Sequence, residues 1–166
     1  MLGPARLGQL AALLACLAAG CSDPLAEPPA ARGARNTAEV TKHTDGDTLW
    51  LSNVGKVRLI GVDTPEVYGG VECFGREASA FVERTLPLGS RVRYRLGVEE
   101  RDRYGRALAY VWLSDGRFLN RLLVARGLAQ PLTVPPNVEY ADVFVRASAR
   151  ARATGRGLWS RRGCAG

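Results

Sequence analysis

The alternation of apolar and polar residues predicts five β-strands in the central part of the chain. Arg91–Leu96 alternates cleanly, which is typical of a strand that buries one face. Asp45-Gly46 separates two short runs of strand-forming residues, which is a good signal for a β-hairpin. The predicted strands are Val40–Thr44, Thr48–Leu51, Val57–Val62, Arg91–Leu96 and Ala107–Leu113.

Three other segments carry apolar residues at helical spacing. We predict helices between Gly75 and Leu86, from Phe118 to near Gly127, and over Val138–Thr154. Pro87 follows the first segment and Gly155 follows the third, and both residues are common at helix ends. Five strands with interspersed helices indicate an α+β domain.

Length and composition limit the organisation of the chain. Its 166 residues, of which 46% are hydrophobic, suffice for one domain with a sizeable core and a tail. Residues 22–37 are rich in Ala, Pro and Arg and show no sustained apolar period, so we assign them to a linker. The domain is predicted over residues 38–162, and residues 163–166 form a C-terminal tail.

The first 21 residues have the form of an export signal. Leu7 to Gly20 is a small and apolar run that is too short to span a membrane. The run ends in Leu17-Ala18-Ala19-Gly20-Cys21, which resembles a bacterial lipobox, although Ala18 replaces the more usual Leu. Cleavage before Cys21 and lipidation of its thiol would anchor the protein to a membrane of the bacterial envelope. Plain secretion, with Cys21 left as a thiol, is the alternative.

Cysteine usage agrees with export. Outside the predicted signal segment and Cys21, the chain keeps Cys73 and Cys164. In an oxidising compartment an isolated pair is a candidate disulfide, which here would join the start of the first helix to the C-terminal tail. Two unpaired thiols are the alternative.

The charge of the chain suggests a polyanionic partner. The net charge is +7, and 21 of the 23 basic residues are arginine. Such a domain attracts polyanions, among which nucleic acid is the leading candidate. A merely basic surface, or a genome that favours arginine codons, would give the same composition.

Three short motifs bring carboxylates and guanidinium groups into one chain. They are Asp45-Gly46-Asp47-Thr48, the segment from Arg58 to Glu66, and Asp102-Arg103-Tyr104-Gly105-Arg106. Carboxylates supply oxygen ligands for a hard cation such as calcium. Arginines clamp phosphate oxygens, and a further carboxylate can position or deprotonate a water. Together, in this order, the motifs indicate phosphodiester cleavage.

These motifs resemble those of the thermonuclease, or staphylococcal nuclease-like, family. The similarity extends from about Val40 to Ser160 and includes Gly75–Phe81 and the closing Gly157–Ser160. The resemblance implies a five-stranded OB-fold β-barrel with three α-helices, an architecture often used to bind nucleic acids.

The resemblance also implies a calcium site. The positions of Asp47 and Asp63 ligate calcium in the family, helped by the backbone carbonyl at Thr64, and Asp45 matches a carboxylate just outside the ligands. Without the resemblance, Asp45-Gly46-Asp47 is a common turn sequence. Asp63-Thr64-Pro65 would equally suit a helix N-terminus, with Asp63 as the cap.

The remaining catalytic assignments follow from the same resemblance. Glu66 matches the residue that activates or orients the attacking water, and Arg58 and Arg106 match the two arginines on the scissile phosphate. Arg103 and Tyr104 match a basic residue and a phenol that contact the terminal phosphate, with arginine in place of the family's usual lysine. We expect Glu66, Arg58 and Arg106 to face solvent or substrate.

Two departures from the family pattern affect substrate binding. Leu132-Thr133-Val134-Pro135 stands where the best-known member has a pair of tyrosines against the base, so weaker base stacking is expected. The loop Val67–Cys73 is shorter than in that member. His43, the single histidine, lies on a predicted strand and is expected to have a surface or packing role.

The sequence thus predicts an exported, monomeric, calcium-dependent endonuclease of DNA and RNA, and the resemblance implies that it leaves 3′-phosphates. One alternative is a non-catalytic nucleic-acid-binding OB-fold lipoprotein, although such relatives usually lack the carboxylate and arginine set that this chain keeps. A second alternative is a lipoprotein that structures the envelope.

Overall fold

A computed structural model of the chain describes residues 36–160 together with Cys164. The predicted signal segment, Cys21 and nearly all of the predicted linker lie outside the described residues. The first strand begins at Asn36, two residues before the predicted start of the domain. Within the described part of the chain, no helix is both long and apolar enough to span a bilayer.

Five strands close into a barrel in the order β1-β2-β3-β6-β5. All neighbouring pairs are antiparallel except β3 and β6, which run parallel and so close the barrel. A further short pair, β4 with β7, lies outside the barrel. The strands are β1 (Asn36–His43), β2 (Thr48–Leu51), β3 (Gly55–Leu59), β4 (Val62–Asp63), β5 (Arg91–Arg101), β6 (Ala107–Leu113) and β7 (Gln130–Pro131).

Three helices accompany the barrel, as the periodicity predicts. They are α1 (Gly75–Thr85), α2 (Leu119–Ala125) and α3 (Ala141–Ala153), and a short 3-10 helix, Gly157–Trp159, follows. The predicted fold class, an OB-type barrel of five strands with three helices, is therefore confirmed.

The core joins the barrel to α2 and α3 through an aromatic cluster. Trp112 stacks on Phe118 with a centroid distance of 4.8 Å, and Tyr110 meets Tyr140 edge to face at 4.7 Å. Asn120 is also fully buried, and its side chain accepts from Val111 N and donates to the Ile60 carbonyl. This amide fixes the backbone at the end of β3, where the site begins, because buried polar groups are strongly held by their partners.

The predicted strand Val57–Val62 is interrupted in the structure. β3 ends at Leu59 and β4 begins at Val62, and between them Gly61 adopts a positive φ of 79°. A side chain at Gly61 would collide with the ring of Phe144 from α3. The chain therefore turns sharply here, and residues 62–66 leave the barrel. No helix starts at Asp63, so the alternative of a helix N-terminus there is wrong.

Cys73 and Cys164 form a disulfide bond in the structure, with their Cα atoms 5.6 Å apart. This is the pair that the sequence analysis proposed. The bond joins the residue just before the N-cap of α1 to the C-terminal tail. It therefore anchors one end of the loop that begins at Glu66.

Candidate active site

Asp47 is the most deeply buried carboxylate of the candidate site, with 6% of its surface exposed. Its Oδ2 accepts from the backbone N and the hydroxyl of Thr64, at 2.8 and 2.9 Å, and its Oδ1 accepts from the Thr48 hydroxyl. Gly46 permits this approach, because an added Cβ there would lie 2.9 Å from Thr64 Cγ2. The Asp-Gly-Asp turn is therefore packed directly against the end of β4.

Arg58 lies between the two carboxylates that the sequence analysis assigned to a metal. Its Nε is 3.1 Å from Asp47 Oδ1, and its Nη2 donates to Asp63 Oδ1 at 2.8 Å. Its Nη1 donates to the carbonyls of Leu59 and Val62. Although Arg58 lines a cavity of the site, its side chain is only 13% exposed. The reason is that the Gly61 turn folds carbonyls and carboxylates around it.

Asp63 stands at the rim of the site, with 58% of its side chain exposed. Its pKa is raised above the ordinary value, first by burial of part of the carboxyl group and then by the charges of Asp47 and Glu72, while Arg58 opposes the rise. Several carboxylates therefore share one small region, and Arg58 alone does not offset their repulsion at Asp63.

Asp45 belongs to the same group of acids. Its Oδ1 accepts from the backbone N of Asp47, and burial followed by the Asp47 charge raises its pKa. Burial and a neighbouring negative charge disfavour the ionised form of Asp45, and a nearby cation would favour it. The crowding of Asp45, Asp47 and Asp63 is therefore suited to a bound positive charge.

Glu66 is exposed at the start of the loop that leads to α1. Its backbone N donates to Glu72 Oε2 at 3.0 Å, and its carbonyl accepts from Glu72 N at 2.9 Å. Among the residues that the structure describes, none forms a hydrogen bond or ion pair with the Glu66 carboxylate. The main chain of Glu66 is thus fixed while its acid group remains available.

Arg106 is held by a residue of its own motif. Its Nε lies 2.7 Å from Asp102 Oδ2, and its backbone N donates to Asp102 Oδ1. Burial alone would raise the pKa of Asp102, but the hydrogen bonds from Arg106 and from Tyr104 N lower it below its ordinary value. Asp102 therefore holds this turn in place, a role that was not assigned from the sequence. Its position four residues before Arg106 is a spacing at which such a contact could have been predicted.

Tyr104 lies between two guanidinium groups on the same turn. The guanidinium carbon of Arg103 is 4.8 Å from the centre of its ring and that of Arg106 is 5.4 Å away. Arg103 Nη2 also donates to the Tyr104 hydroxyl. The ring is 67% exposed, so this cationic and aromatic surface is accessible to an anionic ligand.

Arg58 and Arg106 line one cavity of about 340 Å³, together with Arg103 and Tyr104. Its remaining wall is largely apolar and includes Leu132 and Val134. The other lining residues are Leu59, Ile60, Gly61, Val62, Glu99, Asp102, Leu108 and Asn137. The structure thus brings together two motif arginines that lie 48 residues apart in the sequence. Asp47 and Asp63 adjoin this cavity through Arg58.

Two other assignments have plain structural outcomes. Within the part of the chain that the structure describes, no group of three His, Cys, Asp or Glu side chains has the spacing of a metal-binding cluster.

His43 contacts the Leu86 carbonyl through Nε2 at 2.8 Å. This contact joins β1 to the end of α1, so His43 has a packing role.

Comparison with known proteins identifies the family. Residues 56–161 match the family model described as "Staphylococcal nuclease homologue". The chain belongs to this family. It is 39% identical over 130 residues to "Thermonuclease" from Staphylococcus hyicus, which covers 75% of this chain and 76% of that protein. It is 40% identical over 128 residues to "Thermonuclease" from Staphylococcus intermedius, covering 74% and 75%.

A third relative places a similar sequence within a larger protein. "Endonuclease YhcR" from Bacillus subtilis (strain 168) is 32% identical over 147 residues, which cover 80% of this chain but only 12% of that protein. The matched region thus makes up about three quarters of the two thermonucleases and a small part of this longer protein.

Proposed function

We propose that this nuclease, a hydrolase of phosphodiester bonds, is a calcium-dependent endonuclease that cleaves DNA and RNA and leaves 3′-phosphates. The observation that carries the proposal is the shared cavity of Arg58 and Arg106, with Asp47 and Asp63 joined to it through the Arg58 guanidinium. Nuclease activity is supported by the family match and by the thermonuclease and endonuclease relatives.

The donor set fits a hard cation. Asp47, Asp63 and the carbonyl of Thr64 would hold calcium, because carboxylate and carbonyl oxygens are its preferred ligands and it accepts irregular geometry completed by water. Burial, and after it the negative charge of Asp47, raises the pKa of Asp45 and of Asp63. When bound, calcium supplies positive charge to the phosphate and to the attacking water.

The side chains of the chain account for the remaining chemistry. Glu66 accepts a proton from the attacking water or orients it, since its acid group is exposed and lies three residues beyond Asp63 in the chain. Arg58 and Arg106 belong to different motifs and both line the cavity. They stabilise the negative charge that builds on the phosphate oxygens in the transition state. The bond from phosphorus to the 5′ oxygen breaks, so the phosphate stays on the 3′ side.

Tyr104 and Arg103 are proposed to bind a neighbouring phosphate of the same strand. Leu132 and Val134 offer the nucleobase an aliphatic surface, with 43% and 55% of their areas exposed. Aliphatic contacts lack the stacking energy of an aromatic ring, which amounts to about 1–3 kcal/mol per base. We therefore expect weak base preference and a raised KM for short oligonucleotides.

The direct test is digestion of supercoiled plasmid, single-stranded DNA and RNA by the purified protein in calcium, in magnesium or in excess chelator. Cleavage in calcium, its loss in chelator and products that accept a label at the 3′ end only after phosphatase treatment are expected. Asp47→Ala and Asp63→Ala should raise the calcium concentration needed for half-maximal activity. Undiminished cleavage in excess chelator would rule out the proposed mechanism.

We further propose that the mature protein begins at a lipidated Cys21 and is anchored in the cell envelope. The support is the Leu-Ala-Ala-Gly-Cys sequence at the end of an apolar run. Palmitate labelling of the wild type with no labelling of Cys21→Ser is the expected result. An unlabelled wild type found only in the medium would instead support plain secretion.

A further inference from the structure

Glu72 makes two separate hydrogen bonds to the backbone of Glu66. Its carboxylate Oε2 accepts from Glu66 N at 3.0 Å, and its own backbone N donates to the Glu66 carbonyl at 2.9 Å. Both polar groups of the Glu66 main chain are thereby engaged by one residue. Glu72 lies outside the three sequence motifs.

The first residue of α1, Gly75, also packs closely against the backbone of Glu66. A Cβ atom added at Gly75 would lie 2.6 Å from the Glu66 carbonyl oxygen, so only glycine lets the start of α1 pack this closely. Gly75 N in turn donates to the Glu72 carbonyl at 3.0 Å. Glu66, Glu72 and the first residue of α1 therefore form one compact loop closure.

Glu72 itself has a firm attachment to the domain. The next residue is Cys73, which is bonded to Cys164, and Phe74 packs against the core. With the residues that the structure describes, the loop between Glu66 and Glu72 forms only one other side-chain hydrogen bond, from the Tyr68 hydroxyl to the Thr44 carbonyl. The position of Glu66 thus depends on an anchored residue six positions away.

We infer that Glu72 is a positioning residue for catalysis, which fixes the main chain of Glu66 so that its carboxylate meets the attacking water. The inference rests on the proposed role of Glu66. It follows from the geometry because the Glu66 carboxylate forms no hydrogen bond or ion pair with any residue that the structure describes, so the side chain is directed only from its backbone. A small displacement of a catalytic group is enough to slow a reaction by up to about 100-fold.

The test compares Glu72→Ala with Glu72→Gln. Glutamine keeps an oxygen that can accept from Glu66 N, whereas alanine removes the acceptor. Glu72→Ala should lower kcat on the order of 10- to 100-fold with little change in KM. Glu72→Gln should lie much nearer to the wild type. Glu83→Ala, which removes an exposed acid from the last turn of α1, is the matched control and should behave as the wild type.

A second background separates positioning from general damage. If Glu72 acts through Glu66, Glu72→Ala should cause no further loss of kcat in a protein that already carries Glu66→Gln. An additional loss of the same size in that background would overturn the inference. Equal loss in Glu72→Ala and Glu72→Gln, together with a raised calcium requirement, would overturn it as well, because Glu72 would then act through its charge.

The outcomes also distinguish this inference from the proposed function. An inactive wild type would refute the proposed function itself. An active wild type that is slowed by Glu66→Gln but not by Glu72→Ala would refute the positioning role alone. Thermal unfolding of each variant shows whether the loop change has left the fold intact.

Discussion

Replacement of Arg58 should destabilise the protein far more than replacement of Arg106, although both arginines are proposed to act on the same phosphate. Arg58 and Asp47 form a nearly enclosed pair, with side chains 13% and 8% exposed. Loss of one member of a buried ion pair leaves an uncompensated charge and costs about 3–5 kcal/mol. The exposed Asp63 contact adds less than about 1 kcal/mol.

Arg106 supplies the comparison. Its partner Asp102 is 17% exposed, and the Arg106 side chain itself is 27% exposed, so solvent can reach both groups when the pair is broken. Arg106→Ala should therefore lower the free energy of unfolding by less than about 2 kcal/mol. Arg58→Ala should lower it by about 3–5 kcal/mol.

The assay is urea denaturation followed by tryptophan fluorescence, since Trp112 is fully buried in the core. Both variants are measured in chelator, so that metal binding does not contribute to stability. The double variant Asp47→Asn with Arg58→Ala should recover part of the stability, because it removes the buried unpaired charge. Equal losses in Arg58→Ala and Arg106→Ala, or no recovery in the double variant, would refute this reasoning.

Three further predictions concern other parts of the site. Arg106→Lys should retain only part of the cleavage rate of the wild type in steady-state assays, because an ammonium group cannot reproduce the two-pronged contact of a guanidinium. The pKa of Asp102 is lowered in the folded protein, so the stabilisation it provides is full above about pH 4 and is lost as the pH falls through that lowered pKa. The difference in unfolding free energy between the wild type and Asp102→Asn should therefore shrink on acidification. Cys164→Ser should lower the stability by about 4–5 kcal/mol in the chain-entropy model, measured against the oxidised wild type, because the disulfide closes a separation of 91 residues.

Local sequence patterns were sufficient for the barrel but not for all of its extensions. The alternation in Arg91–Leu96 and the Asp-Gly turn depend on neighbours in sequence, and both predict the observed strands. β5 continues to Arg101 because the side chain of Asn137 bonds to both the N and the carbonyl of Glu99. That contact joins residues 38 apart, so no local pattern could show it.

The same distinction applies to the candidate site. The motif residues Asp47, Arg58 and Asp63 were named from the sequence, and the structure places them in contact. The burial of Arg58 could not be predicted, because it depends on the turn at Gly61 and on the carbonyl of Val62 folding back onto the guanidinium. The role of Glu72 was missed for a similar reason, since its partner is the backbone of Glu66 and not a side chain.

The central claim is that this set of side chains carries out phosphodiester hydrolysis. The most direct measurement is the cleavage rate of a defined DNA oligonucleotide in calcium, compared between the wild type and Glu66→Gln purified in parallel. The account predicts that the wild type cleaves and that Glu66→Gln is slower by about 10²–10⁴-fold, with nearly unchanged substrate binding. Equal rates for the two proteins, or no cleavage by the wild type, would contradict it.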